Sequence, residues 1–143
     1  MFEKIFIDAN VWVDLFDKTR PMSSQSRKAV ASLLERDGVE LFTSCDIITT
    51  LYYLLTKKGK DSALQAIEYV NGICTVVEFG NKEVEESCRL MRENGAFDDL
   101  EDTLQYVMAR KVGADLILRN DMGFVSDGVP VMQSDAFCET RLR

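Results

Sequence analysis

The sequence contains no histidine, and this absence removes several kinds of catalytic chemistry at once. Serine or cysteine nucleophiles activated by an imidazole base are excluded, and so are zinc sites that use histidine ligands. If the protein is an enzyme, its polar chemistry must therefore come from carboxylates, amides, hydroxyls or lysines.

Paired cysteine motifs and long apolar runs are missing as well. The four cysteines are scattered without a CxxC pair, which is typical of reduced thiols in a cytosolic chain rather than of disulfides or a zinc site. No apolar run approaches the roughly 20 residues of a membrane span. The N-terminal segment MFEKIFID lacks the layout of a signal peptide. We therefore expect a cytoplasmic protein that makes no contact with a membrane.

An excess of positive charge is also missing. The formal net charge is −7, whereas nucleic-acid binders usually show a basic footprint. A cluster of metal-binding carboxylates also produces an acidic total, so the charge alone excludes neither kind of function. The length of 143 residues is that of one domain, and we expect residues 1–143 to form a single one.

Short apolar runs alternate with amphipathic stretches along the chain. We predict strands over residues 4–8, 40–43, 74–79, 115–119 and 129–133. Helices are predicted over residues 10–17, 23–38, 45–59, 61–72, 81–95, 98–113 and 134–141. This alternation predicts an α/β fold with a central parallel sheet and helices on both faces. In such sheets, ligands bind beyond the carboxyl ends of the strands.

Asp8 occupies one of these positions, because it follows the first apolar strand directly. It has two interpretations, since Asp8 or Asn10 can cap the helix that begins near Val11, and Asp8 can equally serve as a functional acid. The stretch KIFIDANVWVDLFD does not decide between them by itself.

A second group of acids lies in the segment AFDDLEDTLQYVMA. Asp98 and Asp99 lie four and three residues before Asp102, so on a helix these side chains share a face. Asp98 and Asp99 fit an acidic first turn that complements the helix dipole. Asp102 fits that interpretation less well, because the apolar pattern that follows it turns inward.

A third polar group, Asn120 and Asp121, follows the predicted strand DLILR. Both residue types also favour turns. Three separate segments nevertheless place Asp or Asn where an α/β sheet binds its ligand. Oxygen-only clusters of this kind suit Mg²⁺ or Mn²⁺, which activates water and stabilises charge on a phosphate.

These segments resemble the PIN domain, and most closely the bacterial PIN proteins of the VapC-like toxin group. The resemblance rests on DANVWVDLFD, TSCDIITTLYYLL, DLEDTLQYVMARKVGADLILRN and VPVMQSDAF, in order and with matching spacing over the whole chain. It implies a three-layer α/β/α PIN-like fold with a central parallel sheet. It also implies a Mg²⁺- or Mn²⁺-dependent ribonuclease in which water attacks the RNA phosphodiester in line.

The same resemblance implies the roles of individual residues. Asp8 and Asp102 match the principal acids and metal ligands of the family, and Asp99 matches a supporting carboxylate at the metal. The last catalytic position of the family falls at Asn120, with Asp121 next to it.

Three further residues complete the expected site. Asn10 is the amide beside the first acid, and Thr50 is a neutral supporting residue where many PIN domains carry glutamate. Arg119 is expected to contact RNA, because it lies beside Asn120 at the edge of the sheet where phosphate approaches. A second departure from the family is Gly123, where the RN motif is often followed by an Asp-Phe pair.

Two alternatives remain open at this point. A PIN-fold module that binds RNA or a protein partner without cutting is consistent with Thr50 and Gly123. A haloacid-dehalogenase-type phosphatase also begins with an Asp after its first strand. That chemistry needs a second acid two residues later, where Asn10 stands, and an amide cannot transfer the proton. The partners implied by the resemblance are an RNA substrate, a cognate antitoxin protein and a second copy of the chain in a homodimer.

Overall fold

The fold is built on a central sheet of five parallel strands. The computed structural model describes residues 1–121, 123–124 and 126–141. The strands lie in the order β3-β2-β1-β4-β5, and every neighbouring pair is parallel. Their bounds are β1 Lys4–Ile7, β2 Glu40–Ser44, β3 Thr75–Val77, β4 Leu116–Leu118 and β5 Val131–Met132.

Helices flank this sheet and confirm the expected three-layer α/β/α fold. Within the described residues they are α1 Ala9–Phe16, α2 Ser23–Leu34, α3 Cys45–Leu55, α4 Lys60–Ile73, α5 Asn81–Glu93, α6 Leu100–Lys111 and α7 Ser134–Arg141. The helices form neighbouring groups, because α1 contacts α2 and α3, α2 contacts α7, and α5 packs along α6. In the part of the chain that the structure describes, no helix is long and apolar enough to cross a membrane.

The central strand β1 explains why the sequence predicts this arrangement well. Ile5, Phe6 and Ile7 are fully buried, as expected for a parallel strand that is covered on both faces and therefore reads as a continuous apolar run. The largest buried side chain, Trp12, lies on α1 and belongs to the same core. The core therefore holds the carboxyl end of β1 in a fixed position.

The observed elements differ from the predicted ones mainly at their ends. Helix α6 begins at Leu100 rather than at Asp98, because Asp99 is its N-cap and accepts a hydrogen bond from the backbone N–H of Asp102. Helix α3 ends at Leu55 and continues as a 3-10 turn over Thr56–Lys58. Strand β1 ends at Ile7, which leaves Asp8 just beyond it.

The strand order reverses at the carboxyl ends of β1 and β4, and we call this region the crevice. The chain first builds the sheet outward from β1 through β2 to β3, and later returns to the other side of β1 through β4. Such a reversal of strand order is the point at which open parallel sheets bind their ligands. Asp8 follows β1 and Arg119 follows β4, so both lie at this point.

Candidate active site

Asp8 lies at the N-cap position of α1, but its side chain does not cap the helix. The backbone of Asp8 is extended, and the carboxylate makes no capping hydrogen bond. The side chain is buried, with only 3% of the residue exposed. A carboxylate that is removed from water requires a partner.

That partner is Arg119, which connects Asp8 to Asp102. The Nη1 atom of Arg119 lies 3.0 Å from Oδ2 of Asp8 and 3.0 Å from Oδ1 of Asp102. The same nitrogen donates a hydrogen bond of 3.3 Å to Oε1 of Gln105. The guanidinium lies over the ring of Phe124, with 4.7 Å between Cζ and the ring centroid. We call this arrangement the Asp8–Arg119–Asp102 bridge.

The burial of Arg119 differs from the sequence-based expectation. The sequence predicts that Arg119 contacts RNA at the edge of the sheet, and the structure leaves only 7% of the residue exposed. The two carboxylates explain the difference, because their combined charge draws the guanidinium into the crevice and compensates its burial.

The bridge does not satisfy every polar atom that it buries. Oδ1 of Asp8 and Nε of Arg119 are both buried without a hydrogen-bond partner among the described residues. Buried polar groups are almost always paired in folded proteins. An unpaired carboxylate oxygen here indicates a position that a ligand would fill.

The electrostatics of the bridge agree with its geometry. Burial raises the pKa of Asp8 to about 6, although the positive charge of Arg119 acts in the opposite direction. The negative charges of Asp102 and of the exposed Asp121 raise the pKa of Asp8 further. The pKa of Asp102 is raised as well, first by burial and then by neighbouring acids, with Arg119 again opposing the shift.

Helix α6 presents additional acids to the same crevice. Asp99 serves as the N-cap of α6, which also fixes the backbone of Asp102. Burial raises the pKa of Glu101, and the charges of Asp46, Asp99 and Asp102 raise it further. Glu101 therefore belongs to this acidic environment, although a helical projection places it a quarter-turn from Asp102. The charge of Asp46 on α3 contributes to this effect, and no local pattern in the sequence brings Asp46 together with Glu101.

Asn120 has a different environment from Arg119. Its Nδ2 atom donates to Oδ2 of Asp14 at 2.6 Å and to Oγ of Ser26 at 2.9 Å. Its Oδ1 atom accepts from the backbone N–H of Ser134 at 2.9 Å and from the hydroxyl of Ser134 at 2.8 Å. We call these four residues the Asn120 network. The side chain of Asn120 thus joins α1, α2 and α7, away from the Asp8–Arg119–Asp102 bridge.

Asn10 supports the same region through the backbone. Its Oδ1 atom accepts a hydrogen bond of 3.1 Å from the N–H of Asn120, immediately after Arg119 in the chain. This bond ties the start of α1 to the end of β4. It therefore connects the two segments that carry Asp8 and Arg119.

The two positions that depart from the family pattern lie on different segments of the chain. Thr50 is half-buried on α3. Gly123 lines a shallow cleft together with Asp99 and Asp102, and its backbone has a φ of 88°. This left-handed conformation favours glycine, so an aspartate at residue 123 would be strained in the observed backbone.

The donor set of the crevice fits a hard divalent cation that is held by few protein ligands. Within residues 1–121, 123–124 and 126–141, no three Asp, Glu, His or Cys side chains converge closely enough to form a ready-made metal cage. Magnesium commonly needs only one or two carboxylates, because it retains several of its waters. Asp8 and Asp102 supply two carboxylates, and the unpaired oxygen of Asp8 supplies a free donor.

The fold and the crevice together define an α/β protein with an acidic site at the strand-order reversal of a parallel sheet. The family model for the PIN domain matches residues 5–126. The chain therefore belongs to the PIN-domain family. It is homologous to the VapC ribonucleases, since it is 46% identical over 137 residues to Ribonuclease VapC1 of Aquifex aeolicus, covering 96% of this chain and 94% of that protein.

Solved structures of more distant proteins share the fold. VapBC2 from Rickettsia felis, bound to a DNA fragment from its promoter, has a TM-score of 0.71 at 15% identity, and covers 91% of this chain and 98% of that one. DNA-bound VapBC from Salmonella typhimurium has a TM-score of 0.70 at 14% identity, and the match covers 92% of this chain and 98% of that one. VapC20 of Mycobacterium tuberculosis, a toxin that cleaves the sarcin-ricin loop, has a TM-score of 0.65 at 18% identity. The match covers 79% of this chain and 86% of that one.

Proposed function

We propose that this chain is a VapC-type endoribonuclease that hydrolyses RNA phosphodiester bonds with Mg²⁺ or Mn²⁺. The observation that carries the proposal is the pair Asp8 and Asp102, brought together at the strand-order reversal with one buried carboxylate oxygen unpaired. The 46% identity to a VapC ribonuclease over 96% of the chain supports the same reaction.

In this proposal, Asp8 and Asp102 hold the metal ion. A bound Mg²⁺ or Mn²⁺ lowers the pKa of water and stabilises the charge that develops on the phosphate. Asp99 keeps Asp102 in place by capping α6. Asp121 is exposed at the rim, where its carboxylate is available to support the ion or to accept a proton from the attacking water.

The remaining predicted residues have supporting roles. We assign Asn10 and Asn120 to positioning, because their amides connect β4 to α1, α2 and α7. Thr50 offers only a hydroxyl from α3, which suits a contact to a metal-bound water.

The partners follow from the relatives. We propose that the chain is the toxin of a toxin–antitoxin pair, because VapBC proteins from two other bacteria crystallised as complexes on DNA. A cognate antitoxin, a homodimeric state and a cytoplasmic location belong to this proposal, together with a single PIN-like domain over residues 1–143.

The alternative function is a PIN-fold module that binds RNA or protein without cutting. The observation that favours it is Arg119, which already forms an ion pair with each of the two principal acids. The phosphatase alternative is abandoned, because the chain belongs to the PIN-domain family.

A ribonuclease assay with matched variants tests the proposal. Purified protein is incubated with a fluorescent RNA and Mn²⁺ or Mg²⁺, or with a chelator, and is compared with Asp8→Asn and Asp102→Asn. Asp37→Asn is the control, because Asp37 is exposed and precedes the amino end of β2, whereas the site lies at the carboxyl ends of the strands. We expect metal-dependent cleavage by the wild type and by Asp37→Asn only. Equal background cleavage by all four proteins would exclude the nuclease and leave the binding module.

A further inference from the structure

We propose that Arg119 is an internal competitor for the metal site, so that a divalent cation binds Asp8 and Asp102 only by displacing the Arg119 guanidinium. This inference rests on the proposed metal-dependent function. It concerns the side chain that already occupies the space between the two carboxylates.

The positive charge of Arg119 lies between the two carboxylates. Nη1 of Arg119 is equidistant, at 3.0 Å, from one oxygen of Asp8 and one oxygen of Asp102. A divalent cation held by the same two oxygens would compete with Nη1 for them, because an oxygen that coordinates the cation would lose its contact with the positively charged guanidinium. The two cations cannot use this pair of oxygens together.

The guanidinium is held at the carboxylates through one nitrogen atom. The ion pair with Asp8 and the hydrogen bonds to Asp102 and Gln105 all use Nη1. Nε is buried without a partner in the described part of the chain. An arginine that is committed to a site normally uses its planar fork for two parallel bonds. Arg119 can therefore leave the carboxylates without breaking any bond at Nε.

The guanidinium has a further favourable contact that remains available when Nη1 withdraws from the carboxylates. The guanidinium lies over the ring of Phe124, and this contact does not depend on either carboxylate, because an aromatic face attracts the cation by itself. The aromatic contact offers the displaced arginine a second favourable partner. Competition of this kind is reciprocal, so the cation weakens the Arg119 contacts as much as Arg119 weakens cation binding.

The competition is tested by measuring Mn²⁺ binding without RNA, by electron paramagnetic resonance of free Mn²⁺ during a titration. Arg119→Met removes the charge but keeps a long apolar side chain against Phe124, and we expect it to bind Mn²⁺ about tenfold more tightly than the wild type. Arg119→Lys restores the charge and should return the affinity toward the wild-type value. Arg110→Met is the matched control, because Arg110 also lies over an aromatic ring, 5.9 Å from the centroid of Tyr106, but outside the bridge.

The outcomes separate this inference from the proposed function. Equal or weaker Mn²⁺ binding by Arg119→Met than by the wild type overturns the competition but leaves the metal site intact. Absence of binding in both proteins overturns the metal site and the competition together. Tight binding by Arg119→Met that disappears in Asp8→Asn/Arg119→Met supports the competition at this site.

A measurement on the wild type covers the case in which Arg119→Met does not fold. The arginine Nε–Hε signals are followed by NMR during a titration with diamagnetic Mg²⁺. The Arg119 signal is expected to shift as the ion saturates the site, whereas the Arg110 signal stays unchanged. An Arg119 signal that does not move at saturation overturns the proposal.

Discussion

Arg119 and Asn120 are consecutive residues, yet they enter two polar regions of opposite character. In the Asn120 network, both polar atoms of the Asn120 side-chain amide are hydrogen-bonded, since Nδ2 donates to Asp14 and Ser26 and Oδ1 accepts from Ser134. In the Asp8–Arg119–Asp102 bridge, one oxygen of Asp8 and Nε of Arg119 are buried without partners. A polar network whose buried atoms are all hydrogen-bonded stabilises a fold, whereas a network with unpaired buried atoms can still bind a ligand.

Successive side chains near the end of a strand point to opposite faces of the sheet, and this explains how two neighbours reach different regions. The contrast also separates residues that the family resemblance groups together as a site. Asp8 and Asp102 retain the features of ligands, while Asn120 has those of a structural connector. The following predictions test that separation, beginning with the largest expected effect.

The Asp8→Asn variant should lose activity without losing stability. Removing one charged group that stabilises the transition state costs about 10²–10³-fold in rate. The burial that raises the pKa of Asp8 means that the charged carboxylate is not favoured by the folded protein. We therefore expect the cleavage rate to fall by about that factor, while the midpoint of urea unfolding stays equal or increases. A variant that is both inactive and clearly less stable would assign Asp8 to the structural class.

The Asn120→Ala variant should show the reverse pattern. It removes the hydrogen bonds to the buried residues Asp14, Ser26 and Ser134, so Oδ2 of Asp14 and the backbone N–H of Ser134 lose their partner, whereas the hydroxyls of Ser26 and Ser134 still contact each other at 3.1 Å. Each such buried group costs about 1–3 kcal/mol, so we expect the free energy of unfolding to fall by about 3 kcal/mol. Urea unfolding measures this loss. Asn120→Asp keeps the size and shape of the side chain. It therefore separates the effect of losing the amide N–H donors from the effect of leaving a cavity. If Asn120→Ala is as stable as the wild type but inactive, Asn120 is a catalytic residue and the contrast fails.

The residues differ in how well the sequence predicts them, and the reason is physical. The positions of Asp8 and Asp102 follow from local patterns, because an acid at the end of a buried strand or before an inward-facing helix is visible in the sequence. The burial of Arg119 is not, since an isolated arginine is expected in solvent and only the meeting of three distant segments reverses this. The Asn120 network likewise depends on partners from α1, α2 and α7, which no local pattern brings together.

The bridge should also make the stability of the protein depend on pH. Because the folded-state pKa of Asp8 is about 6, above its ordinary value of 3.8, the folded protein binds the Asp8 proton more tightly than the unfolded chain. Its contribution favours folding below about pH 4 and is lost as the pH rises through about 6. The loss is on the order of 1–3 kcal/mol.

The Asp8→Asn variant isolates this contribution, because it cannot ionise at residue 8. In a chelator-containing buffer, the stability of the variant relative to the wild type should increase by that amount between pH 4 and pH 7. Urea unfolding at a series of pH values measures the difference, and Asp37→Asn provides the baseline for an exposed aspartate. A difference that is constant with pH would mean that Asp8 is not held in an environment that opposes its charge.

Asp99 lies between the two classes, and its variants should produce the smallest effect. Its side chain caps α6 by accepting from the backbone N–H of Asp102, and loss of an N-cap to alanine costs about 1 kcal/mol of stability. Asparagine caps a helix as well as aspartate does, but carries no charge for a cation. Asp99→Asn should therefore retain the stability that Asp99→Ala loses, as measured by urea unfolding. If Asp99→Asn also retains Mn²⁺ affinity and cleavage, Asp99 acts on the site only by holding Asp102 in place. If cleavage falls while stability is kept, the carboxylate itself belongs with Asp8 and Asp102 as a ligand.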